Sequence, residues 1–104
     1  MTYARKRDLA HAQIVAELRD AGFFVFDMGS VGRGCPDLLI SRNGIATVVE
    51  LKTPKGRKTA ADRLGAAQKA FVSAWKGPPV IAAYTASDVV FDFGLLVKRT
   101  GAWK

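Results

Sequence analysis

The chain has a single cysteine, Cys35, and a single histidine, His11. One thiol excludes an internal disulfide and a multi-thiolate zinc site within one chain, so Cys35 is expected as a reduced, partly buried thiol rather than a reactive nucleophile. Long apolar runs are missing too. No stretch approaches the roughly 18 consecutive apolar residues that span a bilayer, and the basic N-terminus leads into an alternating polar pattern instead of an apolar signal core. A cytoplasmic protein is expected. Acidic residues are scarce, nine against sixteen Lys and Arg, which leaves a formal charge of +7. Such a surplus on so short a chain points to a polyanionic partner, without choosing between DNA, RNA and anionic lipid.

At 104 residues and 49% hydrophobic content, the chain has enough material for one core and one domain over 1–104. From Asp8 to Ala21, His11, Ile14, Val15 and Leu18 recur at helical spacing, and Gly22 follows as a stop. Phe23 to Met28 reads as a strand, and the three glycines in Gly29 to Gly34 as a loop. Pro36 to Arg42 and Ile45 to Lys52 flank Asn43-Gly44, the composition of a type I′ hairpin turn. Thr53 to Lys58 is a basic loop. A helix is expected from Thr59 to Trp75, with Leu64, Gln68, Phe71, Val72 and Trp75 on one stripe. Gly77-Pro78-Pro79 then breaks the chain before a strand from Val80 to Tyr84. Ser87 could cap a short final helix, with Leu95 to Lys98 as a last strand. The order implies an α/β sandwich, with helices packed on a sheet centred on the hairpin.

Three residues break the pattern of this hairpin. Asp37 stands at the mouth of the apolar run Leu38, Leu39, Ile40, where a carboxylate is costly unless paired or bound to a cation. Glu50 and Lys52 are two apart on the partner strand and therefore share a face. Counting back from the two-residue turn pairs Arg42 with Ile45 and Asp37 with Glu50, which sets two acids opposite each other. Like charges so placed destabilise a sheet unless something compensates. A hard divalent cation, Mg²⁺ or Mn²⁺, held by the two carboxylates and the backbone carbonyl of Leu51, would do so and complete its shell with water and phosphate. Lys52 would then orient or help deprotonate an attacking water and stabilise charge developing on phosphorus. An ordinary cross-strand Lys-Glu pair on a solvated face is the plainer reading of an isolated E-x-K.

The combination Pro36-Asp37 followed by Glu50-Leu51-Lys52 resembles the PD-(D/E)XK nuclease superfamily, and within it the VRR-NUC group. The matching residues are Gly34-Cys35-Pro36-Asp37-Leu38, Glu50-Leu51-Lys52, the basic loop Lys55-Gly56-Arg57 and a helical Gln68, across roughly His11 to Asp88. The resemblance implies a restriction-endonuclease-like fold, a mixed central sheet flanked by helices. It also implies metal binding by Asp37 and Glu50, catalysis by Lys52, and support from Gln68. Relatives place a glutamate in the first helix, about eleven residues before its closing glycine; that position here is His11, a candidate metal ligand or holder of a metal-bound water. Arg5, Lys6, Arg7, Arg33, Lys55, Arg57 and Lys58 are candidate DNA contacts, with Lys98, Arg99 and Lys104 in the tail.

Stand-alone VRR-NUC proteins look like homodimeric resolvases of branched DNA. The resemblance therefore implies a metal-dependent, structure-specific DNA endonuclease, a Holliday junction resolvase, working as a homodimer. Phe91, Phe93 and Trp103 are candidates for the dimer surface or for the core. A nuclease of flap, single-strand or sequence-directed specificity, and a DNA-binding protein without catalysis, are the alternatives.

Overall fold

Helix α1 (Thr2–Asp20) opens the computed structural model, which describes residues 2–100, with side chains described for 9–99. The helix begins earlier than Asp8 and takes in the basic tip, although the side chains of Arg5, Lys6 and Arg7 lie outside the described residues. Its expected face is the buried one: Val15 and Leu18 are enclosed, His11 and Ile14 partly so, and Glu17 is exposed opposite them. Gly22, at φ +92°, ends it. The Gly22 N–H donates to the Arg19 carbonyl at 3.0 Å and the Phe23 N–H to the Leu18 carbonyl at 3.1 Å, the paired bonds of a Schellman stop.

Strands β1 (Phe24–Asp27), β2 (Leu38–Arg42), β3 (Ile45–Leu51) and β4 (Ile81–Ala83) form one sheet in the order β1-β2-β3-β4. The first two pairings are antiparallel and β3 with β4 is parallel, so the sheet is mixed. The β2–β3 register is the one the turn demands, with Arg42 opposite Ile45 and Leu38 opposite Val49. Asn43 and Gly44 both take positive φ, 55° and 80°, as a type I′ turn requires.

One sheet face, with Val25, Leu38, Ile40, Val49 and Leu51, is buried against α1 and α3 (Ala86–Thr100). Phe23 and Phe93 meet edge to face there, ring centroids 4.9 Å apart, and the Arg42 guanidinium stacks over Phe23 at 4.3 Å. Burying a side chain such as Phe93 contributes about 2–3 kcal/mol.

Several expectations for the C-terminal half fail. Leu95 to Lys98 is helical, not a strand: Val89, Phe93, Leu96 and Val97 recur at helical spacing, and all are buried. Helix α3 is also long, and its cap is Thr85 rather than Ser87. The Thr85 hydroxyl accepts from the Asp88 N–H at 3.0 Å, while the Asp88 carboxylate accepts from the N–H groups of Tyr84 and Thr85. Phe93 is accordingly a core residue, fully buried, and not a dimer candidate. Phe91 is 68% exposed, and Trp103 and Lys104 lie outside the described residues.

The expected single helix from Thr59 to Trp75 is instead a 3₁₀ turn, Ala61–Arg63, and a separate α2 (Ala66–Ala74). Leu64 and Gly65 are extended between them, and Gly65 caps α2. The apolar stripe is less buried than its pattern suggests: no residue of α2 is fully buried, and Val72 is 38% exposed. Phe71 and Trp75 stack on each other at 5.6 Å. Among the described residues no helix is long and apolar enough to cross a membrane.

Candidate functional site

Asp37 precedes β2 and stands one step beyond its last paired residue, next in register to Glu50. Its Oδ2 accepts a 2.7 Å hydrogen bond from the Leu51 N–H, and its own carbonyl accepts from the Met28 N–H at 2.7 Å. The carboxylate is thus held through Oδ2 by the backbone of the partner strand. The Lys52 N–H donates to the Ala83 carbonyl at 2.9 Å, which continues the β3–β4 pairing past Leu51 and fixes where Lys52 leaves the sheet.

Strand alternation turns Glu50 away from the α1 and α3 side, and it is buried, with 6% exposure. A buried carboxylate needs partners. Gln68 supplies one: its Nε2 donates to Glu50 Oε2 at 2.6 Å while its Oε1 accepts the Gly65 N–H at 2.8 Å. One amide therefore caps α2 and ties that helix to Glu50. The Lys52 ammonium lies 4.0 Å from the same Glu50 oxygen. The like charges expected to repel across the hairpin are compensated in part by these protein donors.

The loop before Asp37 is strained. Gly32, Arg33 and Gly34 take φ of 73°, 58° and 80° in succession, a left-handed run in which arginine is the costly member. At Gly34 a Cβ would come within 2.7 Å of the Ala67 backbone, so only glycine lets this loop pass the first turn of α2. That gives the glycine of the G-x-PD segment a physical reason. Arg33, Lys55, Arg57 and Lys58 are all exposed, and Cys35 is a partly buried free thiol.

A cavity of about 440 Å³ opens at this end of the sheet, walled by His11, Asp37, Leu51, Lys52, Arg63 and Tyr84 among others. His11 thus shares a cavity with Asp37 and Lys52. Its Nε2, however, lies 3.1 Å from Asp27 Oδ2, and Asp27 Oδ1 accepts from the Gly29 N–H at 2.9 Å. Among the described residues no three His, Cys, Asp or Glu side chains are gathered closely enough to hold an ion, and the partner His11 has here is Asp27. Glu50 is not part of the cavity wall; its link to the cavity runs through Lys52.

Sequence reasoning missed Asp27 and Arg63. Asp27 ends β1 opposite the buried Leu38 and on the same strand face as the buried Val25, although it is itself exposed, and that alternation was the signal available. Arg63 carried no such signal.

Two carboxylates and a main-chain carbonyl form a hard oxygen donor set. In donor type they match an ion such as Mg²⁺, which prefers oxygen ligands, keeps several waters and takes further oxygens from a phosphate rather than demanding an all-protein cage. No family model, curated protein or solved structure matches this chain.

Proposed function

We propose that the chain is a divalent-metal-dependent DNA endonuclease with a restriction-endonuclease-like fold of the VRR-NUC kind, cutting branched DNA in the manner of a Holliday junction resolvase. The observation that carries this reading is the fixing of Asp37 by the Leu51 N–H, with Glu50 and Lys52 on either side of that residue. The mixed sheet and its flanking helices agree with that fold.

Asp37, Glu50 and the Leu51 carbonyl are the groups that would hold Mg²⁺ or Mn²⁺. Such an ion, when bound, acidifies water and draws charge from a phosphoryl oxygen. The side chains do the rest. Lys52, 17% exposed at the cavity wall, orients the attacking water and donates to the non-bridging oxygen on which charge develops. Gln68 keeps Glu50 in one rotamer. The exposed cations Arg33, Lys55, Arg57 and Lys58 grip phosphates along the strand, and a two-fold homodimer would present two such sites to a four-way junction.

A DNA-binding protein without catalysis is the second reading. It is favoured by one observation: the side chain at the position of the relatives' glutamate is a histidine engaged with Asp27. Incubating the protein with four-way, flap, single-stranded and linear DNA in Mg²⁺ or Mn²⁺ separates these readings. Preferred incision of the four-way substrate is the expected result. Cutting of flap or linear DNA alone would move the specificity, and tight binding with no cutting in either metal would favour the second reading.

A further inference from the structure

The cavity beside Asp37 and Lys52 has a cationic wall that the catalytic trio does not use. Arg63 ends the 3₁₀ turn Ala61–Arg63, which is locked from outside: the Asp62 N–H donates to the Thr59 hydroxyl at 3.2 Å, and the Thr59 N–H to the Asp62 carboxylate at 3.4 Å. From this turn the Arg63 side chain donates through Nη1 to the Thr53 carbonyl. Its guanidinium carbon lies 5.8 Å from the centre of the Tyr84 ring. Tyr84 is fixed in turn, its hydroxyl donating to the Lys58 carbonyl. The pair therefore fastens both ends of the basic loop 53–58 to the cavity rim.

These partners are a carbonyl and an aromatic face, neither of them anionic. Among the described residues the contact of a lysine or arginine with a carboxylate is Lys52 with Glu50, so the charge of Arg63 is not neutralised by a carboxylate there. A guanidinium carries five N–H donors, and one bond to Thr53 leaves most of the fork for a second acceptor. Lys52 is less suited to that task, because its ammonium already faces Glu50. A planar, pre-positioned fork facing a cavity that holds a carboxylate and a lysine matches a tetrahedral phosphate, which it can grip with two parallel bonds.

We infer that Arg63, held by the Thr53 carbonyl and the Tyr84 ring, is a phosphate-gripping residue of the cavity that anchors the nucleic-acid backbone beside the Asp37, Glu50 and Lys52 site. The inference rests on the nuclease reading for its substrate, but the grip itself needs no cleavage. It is measured as equilibrium binding of the full chain to labelled four-way and linear DNA in EDTA across a salt series. The variants are Arg63→Gln, Arg63→Lys and, as a control cation exposed elsewhere, Lys76→Gln.

Arg63→Gln should bind about 10-fold more weakly, with the slope of log affinity against log salt on linear DNA flatter by about 0.9, the value of one lost phosphate contact on a duplex. Arg63→Lys keeps the charge but not the fork, so it should keep the slope and lose a few-fold in affinity. Lys76→Gln should match wild type. Thermal melts accompany each variant, and if Arg63→Gln does not fold, Arg63→Lys carries the test. Wild-type affinity and slope in Arg63→Gln, or wild-type affinity in Arg63→Lys, would overturn the grip while leaving the nuclease reading standing. Absence of DNA binding by the wild-type chain would overturn both. Binding that depends on Arg63 in a chain that cuts nothing would support the grip and sink only the catalytic reading.

Discussion

The Gln68 amide donates to the Glu50 carboxylate at 2.6 Å, joining the first turn of α2 to the penultimate residue of β3. A hydrogen bond to a charged group contributes about 1.5–3 kcal/mol, and Glu50 is buried enough for its loss to be felt. Gln68→Ala should therefore lower stability in urea by about 2 kcal/mol, and should also loosen the N-terminus of α2, whose Gly65 N–H loses its acceptor. Gln68→Glu should be worse at neutral pH, since it sets a second carboxylate against Glu50. A Gln68→Ala variant as stable as wild type would show that the bond contributes little to the fold.

Gly34 is the second point at which α2 is fastened to the site. Its left-handed φ of 80° alone makes alanine unfavourable by about 1–2 kcal/mol, and the Cβ would strike the Ala67 backbone at 2.7 Å. Gly34→Ala should lower the urea midpoint by more than that strain alone and reduce cleavage, because α2 must move and carry Gln68 with it. Gly32→Ala, at a similar φ but with nothing within 4 Å, should show the strain without the loss of activity. Equal effects of the two substitutions on cleavage would argue against a steric link between loop and helix.

How far the sequence could be read depended on the range over which each element is determined. The hairpin is a local object: Asn43-Gly44 sets the turn, the turn sets the register, and the register brings Asp37 to Glu50. The stop at Gly22 is local as well. The start of α2 was not legible, because the periodic stripe from Leu64 to Trp75 runs across Gly65 without interruption, and only the Gln68 side chain's return to the Gly65 N–H reveals the cap. In α3, Leu95 to Lys98 has strand-like composition, and its helical state follows from packing Leu96 and Val97 onto the core. The bond between His11 and Asp27 spans sixteen residues, and the position of Arg63 depends on Tyr84, far along the chain. Neither contact has a local signature.

Asp92 offers a test through pH. Burial pushes its carboxyl above the usual carboxylate range, and the like charge of Asp88, one helical turn earlier, adds to the shift. A raised carboxyl favours the protonated form in the folded state. Its ionisation therefore opposes folding once pH rises through the folded value, and has no effect below the unfolded value near 3.8. Asp92→Asn should stabilise the fold at pH 7 by a small margin, under about 1 kcal/mol at this partly exposed site, read as a higher melting temperature, and the advantage should vanish in acid. A margin that stayed constant from pH 3 to pH 7 would assign the gain to something other than charge.

Lys52 carries the central claim, and single-turnover cleavage of a four-way DNA junction in saturating Mg²⁺ or Mn²⁺ tests it most directly. Lys52→Ala should cut at least ~100-fold more slowly than wild type, on the scale of losing one charge-stabilising donor, while melting within a few degrees of it and still binding the junction. A Lys52→Ala protein that cuts at the wild-type rate would contradict the assignment of Asp37, Glu50 and Lys52 as a nuclease site.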